Sequence, residues 1–305
     1  MTRTRYASDR GLTSRMLVTM FLLGLVYVVF VGAFFVIAPK WGMVALAVAV
    51  VFMLAQYFFS DKLTLFAMHG REVTPEEAPE LHGVIDRISA MSNAPKPKVA
   101  IADTDVPNAF ATGRNQSKAV VCVTTGLLRR LDPVELEGVL AHEMAHIAHR
   151  DVAVMTIASF LGVCAGLITR FGLEWGLWGG FNRRDNDQNT GMILLAVVAV
   201  SAVAYAISFL LTRALSRYRE LSADRAAALL TGRPSSLASA LTKVSGEIAR
   251  IPSRDLRSAE PFNAFFFAPA FTKGFSVSSL FSTHPTLDKR LAQLSKISDQ
   301  LSRGA

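Results

Sequence analysis

Four long apolar segments alternate with polar stretches along this chain. Residues 16–38, 41–60, 152–169 and 191–212 contain no Asp, Glu, Lys or Arg. About 20 apolar residues in a helix cross roughly 30 Å of hydrocarbon. The first, second and fourth segments therefore predict membrane-spanning helices. The third segment is at the lower limit of length, so a buried or re-entrant helix is an alternative interpretation of it.

Composition supports a chain that lies partly in lipid. Apolar residues make up 51% and charged residues 18% of the 305 residues, with a mean hydropathy of +0.35, whereas soluble domains carry about 25% charged residues. The formal net charge is +8, and its positive charges flank the apolar segments rather than form a block with aromatic residues. A lipid bilayer is therefore the predicted partner, and nucleic acid is not. Two cysteines are too few for a secreted disulfide scaffold.

The placement of Lys and Arg predicts the orientation of the spans. Basic residues precede the first segment and follow the fourth, and positive charge marks the cytoplasmic side. Both chain termini are therefore expected in the cytoplasm. The predicted parts are a cytoplasmic N-terminal segment (1–15), a hairpin of two spans (16–60), a cytoplasmic part (61–151), a second hairpin with a polar loop at 170–190 (152–212) and a second cytoplasmic part (213–305).

The cytoplasmic parts show a mixed pattern of helices and short strands. Apolar spacings of three and four predict helices, and Val-rich runs bounded by Pro or Gly predict strands. The segment 107–113 between the two strands is either an edge strand or a plain loop. Helices are expected at 76–92, 132–150, 213–230, 235–249 and 285–298, and strands at 98–102 and 119–123.

The sequence His-Glu-Met-Ala-His at residues 142–146 lies in the middle of the predicted helix 132–150. Positions i and i+4 share one helix face, so His142 and His146 are spaced to bind one Zn²⁺. Glu143 is beside them, where a general base of a metalloprotease would stand. The pattern therefore predicts a catalytic zinc site.

A catalytic zinc needs a third protein ligand and an open position for water. Glu220 is the preferred candidate because two intervening spans return the chain to the starting side of the membrane. Asp224, one turn later, would accept the free N–H of a liganding histidine, most simply His142. The alternatives are His149 and Glu174 as ligands, or ordinary surface ion pairs for the two acidic residues.

Together these motifs resemble the HtpX-type integral-membrane zinc endopeptidases of the gluzincin group. The resemblance rests on the 142–146 pentapeptide, on Glu220 with Asp224, on Asn108-Ala109-Phe110, and on the stretch 283–290 that contains His284 and Arg290. It implies a mainly α-helical, four-span membrane protein with a cytoplasmic α+β zinc-protease domain. It also implies one Zn²⁺ per subunit, bound by His142, His146 and Glu220.

The remaining motifs suggest further roles. Glu143 would transfer protons, and Asn108, Ala109, Phe110 and Arg290 would bind substrate. His284 would either stabilise the developing oxyanion or simply open the last helix together with Pro285. Misfolded or damaged membrane proteins and unfolded proteins are the implied substrates, cleaved on the cytoplasmic side of a bacterial inner membrane, with a role in stress response and protein quality control.

Two other functions are consistent with the same sequence. A prenyl-protein processing protease would share the zinc arrangement, although four spans are few for an enclosed chamber. A non-catalytic membrane scaffold or transporter subunit would not need Glu143, and the spans lack the ionisable residues that transport pathways usually contain. The Phe-rich stretch 262–281 is too broken by Pro and Gly to span, and either docks on the bilayer, lines a cleft or packs on the soluble part.

Overall fold

The computed structural model describes residues 10–37, 69–113, 115–175, 188–250 and 284–303, with isolated positions between 47 and 54. Most of the second predicted span (41–60), most of the loop 170–190 and the whole Phe-rich stretch 262–281 lie outside these residues. The chain divides into two compact units. We call them the α+β unit (residues 1–15, 59–153 and 216–305) and the apolar helical unit (16–58 and 154–215).

Eight α-helices and four strands make up the described part of the chain, with a 3₁₀ turn at Gln116–Lys118 between β3 and β4. In chain order they are α1 (Arg10–Ile37), β1 (Gly70–Glu72), α2 (Pro79–Ser92), β2 (Lys98–Ala102), β3 (Ala109–Thr112), β4 (Val120–Thr124), α3 (Thr125–Leu128), α4 (Pro133–Ala148), α5 (Asp151–Trp175), α6 (Gln188–Thr231), α7 (Pro234–Arg250) and α8 (Leu287–Arg303).

The α+β unit contains one mixed four-stranded sheet in the order β1-β2-β4-β3. β2 and β4 are parallel, while β1 and β3 pair antiparallel to their neighbours. Every residue of β4 is buried, as expected for a Val-rich strand between two others. β3 is an edge strand that lies against α4. The segment 107–113 therefore contains a strand rather than only a loop.

The core of the α+β unit lies between the sheet and four helices. α2, α4, α7 and α8 each contribute fully buried apolar side chains, among them Ile85, Leu140, Leu241 and Leu294. α4 and α7 approach closely at Gly138, where an added Cβ would stand 3.3 Å from the backbone of Leu237. This packing fixes α4, the helix that carries the pentapeptide, between the sheet and α7.

α4 begins and ends at defined signals. Asp132 accepts hydrogen bonds from the backbone N–H groups of Val134 and Glu135, and the Glu135 side chain accepts from the N–H of Asp132, which completes a capping box. The helix ends at Ala148 rather than at the predicted residue 150. Arg150 has a φ of 57°, and this left-handed conformation ends α4 before α5 starts at Asp151.

In the described residues, the apolar helical unit contains α1 from Met16 onward together with the apolar parts of α5 and α6. Within it, the Tyr27 hydroxyl donates to the carbonyl oxygen of Ile157 over 2.7 Å, and Phe30 packs with Ala165 and Ala204. Large apolar side chains remain exposed, such as Phe21 and Val28 at 71% and 70%. Such a surface is suited to lipid.

Three helices of the described residues are long and apolar enough to cross a membrane: Arg10–Ala33, Asp151–Glu174 and Gly191–Thr231. The third predicted segment belongs to one continuous helix of 25 residues, about 37 Å at 1.5 Å per residue. Its length therefore suffices for a span. Other differences from the predicted elements are small: strand β1 was not predicted, α2 starts later because Pro79 opens it, and α8 extends to Arg303.

Candidate metal centre

The two histidines of the pentapeptide face each other one turn apart on α4. Their ring centroids are 4.7 Å apart, the ring planes cross at 84°, and the two Nε2 atoms are separated by 3.1 Å. His142 is 1% exposed, whereas His146 is only partly buried. The i,i+4 spacing therefore directs the same nitrogen of both rings toward one point.

Glu220 reaches this point from α6. Its Oε1 lies 3.4 Å from Nε2 of His146, and its Oε2 lies 3.6 Å from Nε2 of His142. Ligand atoms about 2.0–2.1 Å from a tetrahedral metal ion are about 3.4 Å apart. The three observed separations bracket this value, so the residues fit one tetrahedral ion. Among the described residues they are the one group of three potential ligands this close, with ligand atoms within 4.8 Å of one another.

Asp224 lies one turn after Glu220 and contacts the other nitrogen of His142. Its Oδ1 is 2.9 Å from Nδ1 of His142. Arg290 of α8 holds the same carboxylate at two points, with Nε 2.7 Å from Oδ2 and Nη2 2.6 Å from Oδ1. Both side chains are essentially fully buried. The Asp224 carboxylate can only accept from Nδ1, so Nε2 of His142 is the nitrogen left for a metal.

His146 has a corresponding acidic partner that the sequence analysis did not identify. Nδ1 of His146 contacts Oδ2 of Asp151, and Arg219 contacts the other oxygen of that carboxylate. Asp151 is five residues beyond His146, which is not a helical spacing. The one sequence signal was its position as the acidic residue that immediately precedes the third apolar segment.

Glu143 is buried beside the two histidines and against β3. Burial raises the pKa of its carboxyl group, while the nearby histidines and a hydrogen bond with the backbone of Ala111 oppose that rise. The side chain is 5% exposed. The contact with Ala111 places the carboxylate between the metal-ligand group and the edge strand.

Glu220 has a pKa well below its ordinary value. Burial alone would raise it, but His284, His142 and His146 stabilise the charged form. The residue lies beyond the charge-free part of α6, in the α+β unit. Nδ1 of His284 is 3.1 Å from Oε2 of Glu220, and His284 is 4% exposed. His284 therefore belongs to the same cluster.

The alternative third ligands are not in this group. His149 is at the C-cap of α4, and burial together with the charges of His146 and Arg219 lowers its pKa to about 4. Glu174 forms an exposed i,i+4 pair with Arg170 in the apolar helical unit. The other alternative was that Glu220 and Asp224 form ordinary ion pairs at the surface. Both are buried, and the contacts described for them are instead with the histidines of this cluster and with Arg290.

The three residues of the predicted substrate motif lie at the start of β3. Asn108, Ala109 and Phe110 are all buried. The N–H of Asn108 donates to the hydroxyl of Thr124, and its carbonyl accepts from the N–H of Thr124. Ala109 and Phe110 continue into the strand opposite Val123 and Cys122. The motif thus anchors the edge strand next to α4.

Comparison with known proteins identifies the family of this chain. Peptidase family M48 matches residues 75–298. Protease HtpX homolog 1 of Streptomyces coelicolor is 62% identical over 299 residues, covering 98% of this chain and 97% of the relative. Protease HtpX homolog 2 of Methanosarcina mazei is 51% identical over 300 residues, covering 98% of this chain and 100% of the relative. The chain therefore belongs to peptidase family M48.

The predicted resemblance to HtpX-type proteases is confirmed by these relatives, and the chain is a peptide-bond hydrolase. Membership of this metalloprotease family implies a metal ion, in agreement with the cluster of His142, His146 and Glu220. The solved structure of S. mikatae Ste24p matches 94% of this chain and 67% of that chain, with a TM-score of 0.54 and 19% identity. This similarity shows a shared fold.

Replacement of the third candidate ligand tests the composition of the centre. We expect Glu220→Ala to reduce bound metal from about one ion per chain to a small fraction of that, because two ligands hold a metal much more weakly than three. Elemental analysis of detergent-purified protein measures the content. Glu174→Ala and His149→Ala are controls and should retain wild-type metal. Normal metal in Glu220→Ala together with loss in either control would reassign the third ligand.

Proposed function

We propose that this protein is a membrane-embedded zinc endopeptidase that cleaves damaged or misfolded membrane proteins and unfolded proteins on the cytoplasmic side. The observation that carries the proposal is the convergence of two Nε2 atoms and one carboxylate at separations of 3.1–3.6 Å. Two histidines and a glutamate suit Zn²⁺ among the common divalent ions. The buried carboxyl group of Glu143 lies next to these candidate metal ligands.

His142, His146 and Glu220 would hold one Zn²⁺ per subunit. A zinc ion bound there would supply Lewis-acid chemistry, because it polarises a peptide carbonyl and lowers the pKa of water. Asp224 accepts from Nδ1 of His142 and thereby fixes the ring in the tautomer that leaves Nε2 unprotonated. Arg290 is 1% exposed and bonded to Asp224. We therefore assign Arg290 to positioning this carboxylate rather than to substrate binding.

Glu143 is the proposed general base and acid. A carboxylate oxygen of Glu143 would take a proton from the attacking water and then deliver it to the nitrogen of the departing amine. Burial raises the pKa of this carboxyl group, which makes it a better proton acceptor than an exposed glutamate. The hydrogen bond with the backbone of Ala111 orients it.

β3 is the proposed docking edge for an extended substrate. In an antiparallel ladder, alternate residues direct their backbone groups to the partner strand or away from it. Asn108 directs its groups to Thr124 of β4, so Phe110 does likewise and Ala109 and Ala111 direct theirs to the open edge. The contact between Ala111 and Glu143 agrees with this alternation. A peptide added at this edge would lie beside the catalytic carboxylate.

His284 is the proposed stabiliser of the oxyanion. Its ring is buried in the metal-ligand cluster, 3.1 Å from Glu220. An N–H group of this ring placed near the scissile carbonyl would stabilise the negative charge that develops there.

The membrane part of the proposal comprises four spans, with both termini and the site in the cytoplasm of a bacterium. Three apolar helices of the described residues support it, and 41–60 is apolar and uncharged along its whole length. Basic residues on the flanks of the first and fourth spans support the orientation. The HtpX homologue names of the relatives support a role in protein quality control and stress response.

The two alternative functions differ in their support. A non-catalytic scaffold does not agree with membership of a peptidase family. A prenyl-protein processing protease is consistent with the fold shared with S. mikatae Ste24p, but the high identity to HtpX homologues favours the broader endopeptidase. Cleavage of a prenylated peptide but not of unfolded membrane proteins would favour the processing protease.

Replacement of the proposed base separates metal binding from catalysis. We expect Glu143→Gln to retain wild-type zinc and to lose cleavage of an unfolded membrane-protein substrate by at least about a hundredfold, because general-base catalysis contributes 10²–10⁴. Gel assays of cleavage and elemental analysis of the same preparation measure both quantities. Glu137→Gln on the same helix is the control. Cleavage by Glu143→Gln at the rate of this control would refute the assignment.

Cysteine labelling tests the proposed orientation. Cys122 is fully buried and burial raises the pKa of its thiol to about 12, so it should not react, and Cys164 can be replaced by Ala. We expect Asp187→Cys, in the loop 170–190, to react with an impermeant maleimide in intact cells. Ser298→Cys on α8 should react only after permeabilisation. Labelling of both from the same side would contradict four spans.

A further inference from the structure

Asp151, the first residue of α5, contacts both His146 and α6, the helix that carries Glu220. One carboxylate oxygen of Asp151 contacts Nδ1 of His146, and the other contacts Nη2 of Arg219. Nη1 of Arg219 also donates to the backbone carbonyl of Asp151 over 2.8 Å. Arg219 immediately precedes Glu220. The helix that provides Glu220 therefore also holds the carboxylate that contacts His146.

The ion pair between Asp151 and Arg219 is buried, and burial of two charges is unfavourable unless it serves some purpose in the protein. Asp151 is 6% exposed and Arg219 is 3% exposed. Removing two charges from water is energetically costly, and apolar residues of similar volume often stabilise a fold equally well. A buried ion pair is thus weak evidence for a purely stabilising function. Its contact with a candidate metal ligand points to a role at the centre.

The pair repeats the arrangement around the first histidine. His142 contacts Asp224, which is held by Arg290 at two points. His146 contacts Asp151, and Arg219 holds Asp151 by one carboxylate contact and one backbone hydrogen bond. Each imidazole therefore has a carboxylate on Nδ1 and an arginine behind that carboxylate.

The backbone between α4 and α5 makes the contact possible. Arg150 has a left-handed φ of 57°, a conformation that is unfavourable for a residue other than glycine. The chain direction changes at Arg150. Asp151, which is five residues after His146, can therefore contact the His146 imidazole. A continuous helix would have directed residue 151 about 140° away from residue 146, since each residue adds about 100°.

We propose that Asp151, held by Arg219, is a positioning residue for the metal centre. It accepts the Nδ1 proton of His146, which fixes the tautomer and ring orientation that direct Nε2 to the metal. This inference rests on the proposed zinc site and deepens it. Partners of this kind raise metal affinity by about 10–100-fold in other zinc proteins.

The test measures zinc affinity and the geometry of a bound probe ion in the full-length protein in detergent. Zinc affinity is obtained by competition with a chromogenic chelator, and Co²⁺ substituted for zinc reports geometry through its visible absorption. We expect Asp151→Asn to bind zinc about 10–100-fold more weakly than wild type and to change the Co²⁺ spectrum. Asp224→Asn should show losses of similar size.

Glu137→Gln is the matched control for a merely structural effect. Glu137 is a buried carboxylate on α4 that pairs with Arg87 and Arg233 and makes no described contact with the metal-ligand group. The Glu137→Gln variant should keep the zinc affinity and the Co²⁺ spectrum of the wild type. Equal behaviour of Asp151→Asn and Glu137→Gln would overturn the inference while leaving the zinc site intact. Absence of zinc binding in the wild type would overturn the proposed function as well.

If Asp151→Asn does not fold, a second substitution, Asp151→Glu, tests the positioning role. Asp151→Glu retains a negative charge beside Arg219 but moves the carboxylate by one methylene group. We expect a folded protein, shown by circular dichroism and a single gel-filtration peak, with zinc affinity reduced severalfold and a changed Co²⁺ spectrum. Wild-type affinity and spectrum in this variant would contradict a positioning role.

Discussion

An imidazole binds a metal only through a nitrogen that carries no proton, and the rest of the site is arranged around this requirement. His142 and His146 direct Nε2 to one point, while Asp224 and Asp151 each contact Nδ1 on the opposite side of a ring. Glu220 approaches the same point from a second helix. In this arrangement the carboxylates set the tautomers of the two histidines, and the helices set the distances between the ligand atoms.

The fold provides the stiffness that this arrangement needs. A capping box starts α4, a core between sheet and helices surrounds it, and the left-handed residue Arg150 ends it. α6 continues from an apolar segment into the α+β unit and carries two of the acidic residues on one face, at 220 and 224. α8 is fixed to α6 through Arg290 and through Gln293, which donates to the carbonyl of Leu221.

Local patterns predicted the parts of the site that depend on local spacing. His142, Glu143 and His146 lie within about one helical turn, and the even number of predicted intervening spans kept Glu220 as a candidate on the same side of the membrane. Asp151 could not be predicted in the same way, because its contact depends on a left-handed arginine, a conformation that this residue type does not favour. Strand β1 is three residues long and carries no alternation, so its pairing with β2 depends on the tertiary fold.

X-ray absorption at the zinc edge of the metal-loaded protein tests the central claim most directly. The account predicts a single shell of nitrogen and oxygen ligands at about 2.0–2.1 Å, four-coordinate, with outer-shell scattering from two imidazoles. Three imidazoles would show that His149 or His284 replaces Glu220 in the first shell. A sulfur shell, or protein that binds no zinc at all, would contradict the assignment of His142, His146 and Glu220.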